Sequence, residues 1–303
     1  AFLTCWVLLI APQSVAAQGD LYDEARALEE AGEPVQAIRA TVPYALQQVD
    51  LTDVAGAEER ARELADAEAA KPFDLAAPPL LRTVLIRLAP DRWVYLQTIH
   101  HIVGDGWSGN VLYREIFALY EAYRQGQSDP LPPLRIHYKD FAYWQKSRGW
   151  KREEAYWTET LRGAPSALRL PFDFPVGNER DFRGASVSHA LSPAAVEALR
   201  RSAQGRRTTV ANSLLAVFNL LLFQLTKQPD FCVGLSIANR NHPDLENLIG
   251  FFVNLLPIRV QLDESLEFKD LLEQVVTAAD AAVEHQDYPF DLMVQQLNPE
   301  RAA

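Results

Sequence analysis

The sequence predicts an α/β protein built in two parts, and three observations carry this prediction. Residues 80–88 and 92–100 are short apolar runs on either side of a turn at Pro90, which is typical of an antiparallel hairpin. Patterns with the period of a helix alternate with such strands along the chain. Residues 168–182 contain two prolines and follow no period, which indicates a linker between the two parts.

The spacing of apolar residues predicts each element in turn. We expect helices at 54–70, 108–125, 138–147, 151–162, 193–203, 209–226 and 267–284. The second part should also contain strands at 188–191, 231–238 and 252–262. Residues 54–70 are rich in alanine and charge, so this helix should be solvated on one side, whereas 209–226 are apolar nearly all round and should be buried.

Composition excludes several classes of partner. A chain of 303 residues that is 48% hydrophobic can bury a large core and has room for two domains. Its net charge of −11 argues against nucleic acid, because phosphate contacts need a basic face. No apolar stretch is long enough to cross a bilayer, so no membrane is expected either. Cys5 and Cys232 lack CxxC spacing, consistent with a reducing cytoplasm.

Residues 1–32 form an atypical N-terminal segment. Residues 2–12 are apolar and small residues follow, as in a secretory signal, but the basic flank and the initiator methionine are missing. The alternatives are a core strand or helix of a truncated chain, or sequence from a faulty gene start. Residues 18–33 predict an acidic helix and turn.

The strongest candidate site is the loop His100-His101-Ile102-Val103-Gly104-Asp105-Gly106. It lies where a predicted strand gives way to a helical pattern, and its glycines allow another backbone or a substrate to approach closely. A neutral imidazole, with an ordinary pKa of about 6.5, is the usual proton acceptor at physiological pH. This placement suggests acyl-transfer chemistry.

Structural and metal-binding roles are the alternatives for the paired histidines. Adjacent residues of a strand point to opposite faces, so only one of the two rings can face a given pocket. No cluster of Glu or Cys with ligand spacing accompanies them, so no metal is expected. Asp105 either orients the working ring or holds the loop through an ion pair with an arginine, and the pattern leaves both roles open.

Four separated stretches together resemble one enzyme family. The loop resembles the HHxxxDG motif of condensation domains from nonribosomal peptide synthetases, which belong to the acyltransferases similar to chloramphenicol acetyltransferase. Residues 138–145, 156–161 and 168–175 resemble the region after the active-site helix. Residues 233–259 resemble the IGxFVNxxxxR region and its approach, and residues 285–292 resemble the HQxxPFE element. They follow the family's order over about residues 33 to 301.

The resemblance implies an α/β fold of two chloramphenicol acetyltransferase-like lobes in a V-shaped pseudo-dimer, with mixed sheets flanked by helices. We therefore expect an N-terminal lobe at 33–167, a linker at 168–182 and a C-terminal lobe at 183–303. The histidine loop would lie at the junction of the lobes, midway along a tunnel.

Both lobes are expected to be incomplete. The family's SxAQxRxWxL-like and RHExLRTxF-like stretches are missing, and the chain ends before the family's closing strands. We expect a fragment that lacks both ends and whose own activity is open. In this family an arginine from the missing region is expected to pair with the motif aspartate, so Asp105 is expected to lack its ion pair. Breaking such a buried pair costs about 3–5 kcal/mol.

The resemblance also implies a reaction and roles. An acceptor amine attacks a donor thioester, and both substrates are aminoacyl or peptidyl groups on carrier proteins. His101 is expected to be the base or the group that positions the amine, with His100 and Asp105 holding the loop. The backbone N–H of Gly106 is placed near the developing oxyanion. A positioned base contributes about 10²–10⁴-fold, and orientation contributes more, so positioning should dominate.

Four further residues carry weaker hypotheses. The amide of Asn254 either orients a substrate carbonyl or bonds its own backbone. Trp107 and Ser108 follow the loop and are assigned to the substrate site, with Ser108 also expected to be the N-cap of the helix. Arg259 is expected to be structural, pairing with an acid or capping a strand end.

The implied partners are the donor and acceptor peptidyl carrier proteins and the adenylation domain of the same synthetase, in the cytoplasm. No cofactor is expected on this chain, because phosphopantetheine arrives on the carriers. The alternatives are a freestanding acyltransferase that uses a carrier or CoA, and an inactive truncated remnant that only binds carriers. An epimerization domain shares the paired histidines, but residues 251–259 resemble condensation members more closely. A cyclization domain would replace the histidines with aspartates.

Overall fold

A computed structural model describes most of the chain. The described residues are 3–7, 42–174, 187–206 and 208–297. Within these ranges, no single helix has the length and apolar content needed to cross a membrane. The bent pair Pro193–Gly205 and Val210–Thr226 reaches that length and composition together, with an angle of 109° between its helices.

The chain divides into two compact units. The first unit contains Ala1–Arg148 and Arg240–Phe252, and the second contains Gly149–Asn239 and Val253–Ala303. This division falls at other positions than the predicted lobe boundary at 168–182. Part of that stretch lies outside the described residues, so its role as a linker stays a prediction. Residues Arg240–Phe252 thus belong to the same unit as the histidine loop.

The first unit contains a four-stranded mixed sheet with the strand order β1-β4-β3-β2. Its strands are β1 (Leu3–Val7), β2 (Gln47–Asp50), β3 (Leu81–Ala89) and β4 (Arg92–Ile99). The pairing of β3 with β4 is antiparallel, which confirms the predicted hairpin, whereas β1 on β4 and β2 on β3 pair in parallel.

The structure tests the alternatives for residues 1–32 only in part. Leu3 lies opposite Trp93 in the register of β1 on β4, so Leu3–Val7 is a strand of the sheet. The acidic helix predicted at 18–33 lies outside the described residues.

The sheet of the first unit is covered by α1 (Ala57–Ala70). Alternation along β3 and β4 points one set of apolar side chains to this helix, because successive strand residues face opposite sides. The resulting cluster includes Val84, Ile86, Leu88, Val94 and Leu96 from the strands and Ala61 from the helix. The first unit also contains α2 (Gly106–Arg124) and α3 (Tyr138–Ser147). In the described part of this unit, α1, α2 and α3 begin and end close to the predicted residues.

A second cluster explains why Arg240–Phe252 belongs to the first unit. Phe141 of α3 packs with Leu245, Leu248 and Phe252, and Tyr138 lies against the same cluster. These apolar side chains anchor the segment on α3.

The second unit pairs β5 (Asp230–Ile237) with β6 (Asn254–Gln261) in antiparallel orientation. Its helices are α4 (Lys151–Leu161), α5 (Pro193–Gly205), α6 (Val210–Thr226), α7 (Phe268–Glu284) and α8 (Phe290–Leu297). Leu256 and Ile258 of β6 are almost fully buried among side chains of α4, α7 and α8. The short helix α8 is absent from the sequence prediction.

Two predictions for the second unit are wrong. Residues 188–191 form no strand; their side chains are exposed, and Ser192 caps α5 directly after them. Helix α6 is not buried all round. Its packed face consists of Ser213, Ala216, Asn219 and Leu222, whereas the opposite face leaves large apolar side chains 37–51% exposed, namely Val210, Leu214, Val217, Phe218, Leu221 and Leu225. Composition alone cannot show which face of an apolar helix meets its neighbours.

We expect Leu256→Ala to lower the free energy of unfolding by about 2–5 kcal/mol, because the lost side chain leaves a cavity in the core. Leu221→Ala is the matched control. Leu221 is 51% exposed, so its loss should cost only about 0.5 kcal/mol. Urea denaturation of both variants, followed by circular dichroism, measures the difference. Equal losses would contradict the core assignment.

Candidate active site

The histidine loop turns directly off the end of β4. His100 follows the strand, a single 3-10 turn spans His101–Val103, and α2 begins at Gly106. Gly104 lies in this turn, where a Cβ would come within 2.9 Å of Cδ1 of Ile99. A side chain at this position would therefore displace the end of the Ile99 side chain.

His100 is held inside the first unit. Its side chain is almost fully buried, and its Nδ1 accepts a hydrogen bond from the backbone N–H of Ile102 at 3.1 Å. The ring also lies edge-to-face against Phe73, with 5.8 Å between the ring centroids. Burial lowers the pKa of His100 below its ordinary value, and the neighbouring His101 lowers it further. His100 is therefore neutral at neutral pH and shapes the loop.

His101 differs from His100 in its surroundings. It is partly exposed, and its ring lies edge-to-face against Phe251, with 5.0 Å between centroids and an interplanar angle of 85°. Among the described residues, its buried Nδ1 has no hydrogen-bond partner. The ring is thus oriented by an aromatic contact.

Asp105 is the N-cap of α2. Its Oδ1 accepts hydrogen bonds from the backbone N–H and the hydroxyl of Ser108, each at 2.8 Å, and its Oδ2 accepts one from the backbone N–H of Phe252 at 3.0 Å. The prediction that Ser108 caps this helix is therefore wrong. A carboxylate three residues earlier satisfies the Ser108 N–H, one of the helix's first free donors.

The expectation that Asp105 lacks its ion pair is also wrong. Arg240, at the start of the segment that joins the first unit, places Nη2 3.2 Å from Oδ1 of Asp105. Both side chains are only 1% exposed. Arg240 also donates hydrogen bonds to the carbonyls of Leu245 and Leu248, and its guanidinium lies 4.1 Å from the ring centroid of Phe252.

Asp105 is ionised within this pocket. Burial alone would raise the pKa of its carboxyl group, but the hydrogen bonds from Ser108 and Phe252 and the charge of Arg240 outweigh burial. The net effect holds the pKa of Asp105 below its ordinary value. A buried carboxylate so fully bonded serves to hold the loop, and this geometry favours that role over one in proton transfer.

Ser108 has no free hydrogen-bonding capacity for a substrate. Its buried hydroxyl lies 2.8 Å from both Asp105 Oδ1 and the carbonyl of Gly250, and it accepts from the Gly250 N–H at 3.0 Å and from Arg240 Nη2 at 2.9 Å. The geometry therefore assigns Ser108 to the scaffold. The neighbouring Trp107 donates from Nε1 to the carbonyl of Glu246 at 2.8 Å, and its side chain remains 44% exposed.

Gly106 occupies the first position of α2 and is exposed. The first backbone N–H groups of a helix lack acceptors within it, and the helix dipole makes them attractive to negative charge. The predicted oxyanion contact therefore remains geometrically open at this residue.

Asn254 belongs to the second unit, at the start of β6. Its Nδ2 donates hydrogen bonds to the carbonyls of Gln286 and Tyr288, each at 2.8 Å, and its Oδ1 accepts from the N–H of Phe290 at 3.1 Å. The amide therefore ties β6 to the loop before α8. This is the arrangement of the backbone-bonding alternative.

Arg259 lies further along β6 and is bound on both sides. Nε and Nη2 contact the carboxylate of Asp230 at 2.9 and 2.6 Å, and Nη1 donates to the carbonyls of Thr160 and Arg162 at the end of α4. Hydrogen bonding to Asp230 raises the pKa of Arg259. Its side chain links the sheet to α4.

The first unit thus brings together most of the predicted site: His100, His101, Asp105, Gly106, Trp107 and Ser108. Sequence reasoning missed Arg240 and Phe251. Both lie within the stretch 233–259 that carries the resemblance, but no local spacing connects Arg240 with an aspartate 135 positions earlier. Among the described residues, no group of three or more His, Cys, Asp or Glu side chains is arranged to hold a metal ion.

Comparison with known proteins decides the family. The family model for the condensation domain matches residues 25–303. The chain belongs to the condensation domain family. This condensation domain is 40% identical to malpinin synthetase from Mortierella alpina over 262 residues, which are 84% of this chain and 3% of that protein. It is 39% identical to tyrocidine synthase 3 from Brevibacillus parabrevis over 270 residues, which are 88% of this chain and 4% of that protein.

Solved structures share the fold. The X-domain from teicoplanin biosynthesis matches with a TM-score of 0.81 and 24% identity, over 90% of this chain and 61% of that one. The first condensation domain of the calcium-dependent antibiotic synthetase, in complex with substrate analogue 2a, matches with a TM-score of 0.71 and 26% identity, over 90% of this chain and 65% of that one. The condensation domain described here thus spans under two thirds of either chain.

We expect Arg240→Met to lower the free energy of unfolding by about 3–5 kcal/mol, because it leaves the Asp105 carboxylate buried and unpaired. Arg135→Met is the matched control in the same unit. Arg135 also pairs with an aspartate, Asp244, at 3.0 Å, but its side chain is 81% exposed, so its removal should cost at most about 1 kcal/mol. Urea denaturation distinguishes the two variants, and similar losses would contradict the assignment.

We expect Asn254→Ala to lower the free energy of unfolding by about 1–3 kcal/mol, because it leaves buried backbone groups without partners. Asn247→Ala, at an exposed asparagine, should change stability little. Thermal unfolding of both variants measures this. A stability unchanged in Asn254→Ala would contradict the backbone-bonding role of this amide.

Proposed function

We propose that this condensation domain catalyses amide formation between two thioesters carried on phosphopantetheine arms. The observation that carries the proposal is the HHxxxDG loop held in place by the buried Asp105–Arg240 pair, with His101 partly exposed beside it. Membership of the condensation domain family supports the same reaction.

The reaction needs no covalent enzyme intermediate, because a thioester is already an activated acyl group. The nitrogen of the acceptor amine attacks the donor's carbonyl carbon, the carbon–sulfur bond breaks, and the thiol of the donor arm leaves. The amine loses one proton and the departing sulfur gains one. An α-amino group has an ordinary pKa of about 7.7–8.0, so a fair fraction is neutral and ready to attack at neutral pH.

In this proposal His101 handles that proton or orients the amine. Its ring is partly exposed, whereas His100 is buried and engaged with the backbone of Ile102. As base, His101 would take the proton from the attacking nitrogen. As a positioning group, it would hold the neutral amine towards the carbonyl carbon. The N–H of Gly106 would then face the developing oxyanion.

Carrier proteins and an adenylation domain complete the proposal. The chain spans 3–4% of malpinin synthetase and tyrocidine synthase 3, so such relatives contain much besides this domain. A four-domain nonribosomal peptide synthetase bound to AMP and glycine contains a region that matches this chain with a TM-score of 0.75 and 24% identity, covering 20% of that chain. Donor and acceptor carriers would bring the phosphopantetheine, and the reaction would take place in the cytoplasm.

We expect His101→Ala to lower the rate of amide formation, by about 10²–10⁴-fold if His101 is the base. The assay mixes the chain with loaded donor and acceptor carrier proteins and detects the dipeptidyl carrier by intact mass. His189→Ala, at an exposed histidine of the second unit, is the matched control and should retain the wild-type rate.

The same assay separates the alternatives. A rate unchanged in His101→Ala would contradict both roles of that residue. Product formed from a soluble CoA thioester without any carrier protein would favour a freestanding acyltransferase. A wild-type chain that binds carriers but forms no product would be a binding platform.

A further inference from the structure

Three consecutive residues, Gly250–Phe252, form one wall of the histidine loop. The N–H of Gly250 donates to the Ser108 hydroxyl oxygen, the Gly250 carbonyl lies 2.8 Å from that oxygen, and the N–H of Phe252 donates to Asp105. The ring of Phe251, between them, makes the edge-to-face contact with His101. The position of this short segment therefore determines where the His101 ring points.

Tyr138, the first residue of α3, holds that segment from another side. Its hydroxyl donates a hydrogen bond to the carbonyl of Phe251 at 2.9 Å. Its ring lies edge-to-face against Phe252, with 5.1 Å between centroids, and a Cβ added at Gly250 would overlap the Tyr138 ring. Tyr138 is therefore in contact with Phe251 and Phe252, and it packs so closely on Gly250 that only glycine fits there.

The Tyr138 hydroxyl remains a donor over a wide pH range. Burial raises the pKa of Tyr138 above its ordinary value, and the Asp105 carboxylate raises it further. The hydrogen bond to Phe251 is therefore present at neutral and mildly alkaline pH.

We propose that Tyr138 is a positioning residue that orients the His101 imidazole through its hydrogen bond to the Phe251 carbonyl and the Phe251–His101 ring contact. The orientation of the His101 ring depends on these two contacts, because its buried Nδ1 has no hydrogen-bond partner among the described residues. His100, in contrast, is fixed by the backbone of Ile102. The consequence for catalysis rests on the proposed function, whereas the orientation of the ring does not.

The test uses Tyr138→Phe, which removes the hydroxyl and keeps the ring that packs on Phe252. NMR of the full chain with isotope-labelled histidine reports the imidazole signals of His101, identified by their loss in His101→Ala. We expect Tyr138→Phe to shift these signals, because the ring contact with Phe251 changes. Tyr143→Phe is the matched control on the same helix. Tyr143 is 77% exposed, so this variant should leave the His101 signals in place.

Either NMR outcome is decisive without any activity measurement. Unchanged His101 signals in a folded Tyr138→Phe chain would overturn the proposal, as would equal shifts in both tyrosine variants. If Tyr138→Phe does not fold, Phe251→Leu takes its place, since it removes the ring that is in contact with His101. Unchanged His101 signals in Phe251→Leu would likewise overturn the proposed route.

Kinetics test the consequence for the reaction. Loss of one hydrogen bond should lower kcat of amide formation by about two- to tenfold, with KM for the carriers nearly unchanged. In a Phe251→Leu background, Tyr138→Phe should have little further effect, because the route is already broken. An undiminished effect in that background would show that Tyr138 acts elsewhere. A wild-type chain that forms no product would refute the proposed function and leave the NMR result standing.

Discussion

The buried ion pair between Asp105 and Arg240 is the interaction on which the rest of the candidate site depends. Removing two charges from water is costly, and their attraction offsets that cost only when the remaining polar atoms are bonded. Here both oxygens of Asp105 accept hydrogen bonds, and Arg240 also donates to two backbone carbonyls. The loop and the segment thus bond both oxygens of Asp105 and both terminal nitrogens of Arg240, whereas the buried Nε of Arg240 has no hydrogen-bond partner among the described residues.

This network separates the buried polar side chains that shape the loop from the partly exposed imidazole of His101. His100, Asp105 and Ser108 are buried and engaged with protein atoms. His101 is partly exposed and is held by an aromatic contact. Polar side chains in one short motif thus differ in role because they differ in burial. The sequence of the motif does not show which of them are buried.

Much of the fold followed from local pattern, and the failures share one cause. The β3–β4 hairpin and helices α2 to α4 were predicted closely, since alternation and helical spacing are properties of neighbouring residues. The burial of α6 and the strand at 188–191 were predicted wrongly, since both depend on which distant surface is present to pack against. The composition of α6 is apolar on both faces, yet only the stripe of Ser213, Ala216, Asn219 and Leu222 is buried.

The family, the α/β class and the identity of the histidine loop can be read from the amino-acid sequence, because they depend on contiguous residues and on the order of motifs. Three contacts become visible only in the folded chain: Arg240 is the partner of Asp105, Asp105 rather than Ser108 caps α2, and Asn254 bonds the backbone. Each of these contacts depends on geometry in three dimensions. A charged group or an amide forms hydrogen bonds with any suitable partner that folding brings within about 3 Å. The separation of the two residues along the chain does not predict which partner that is.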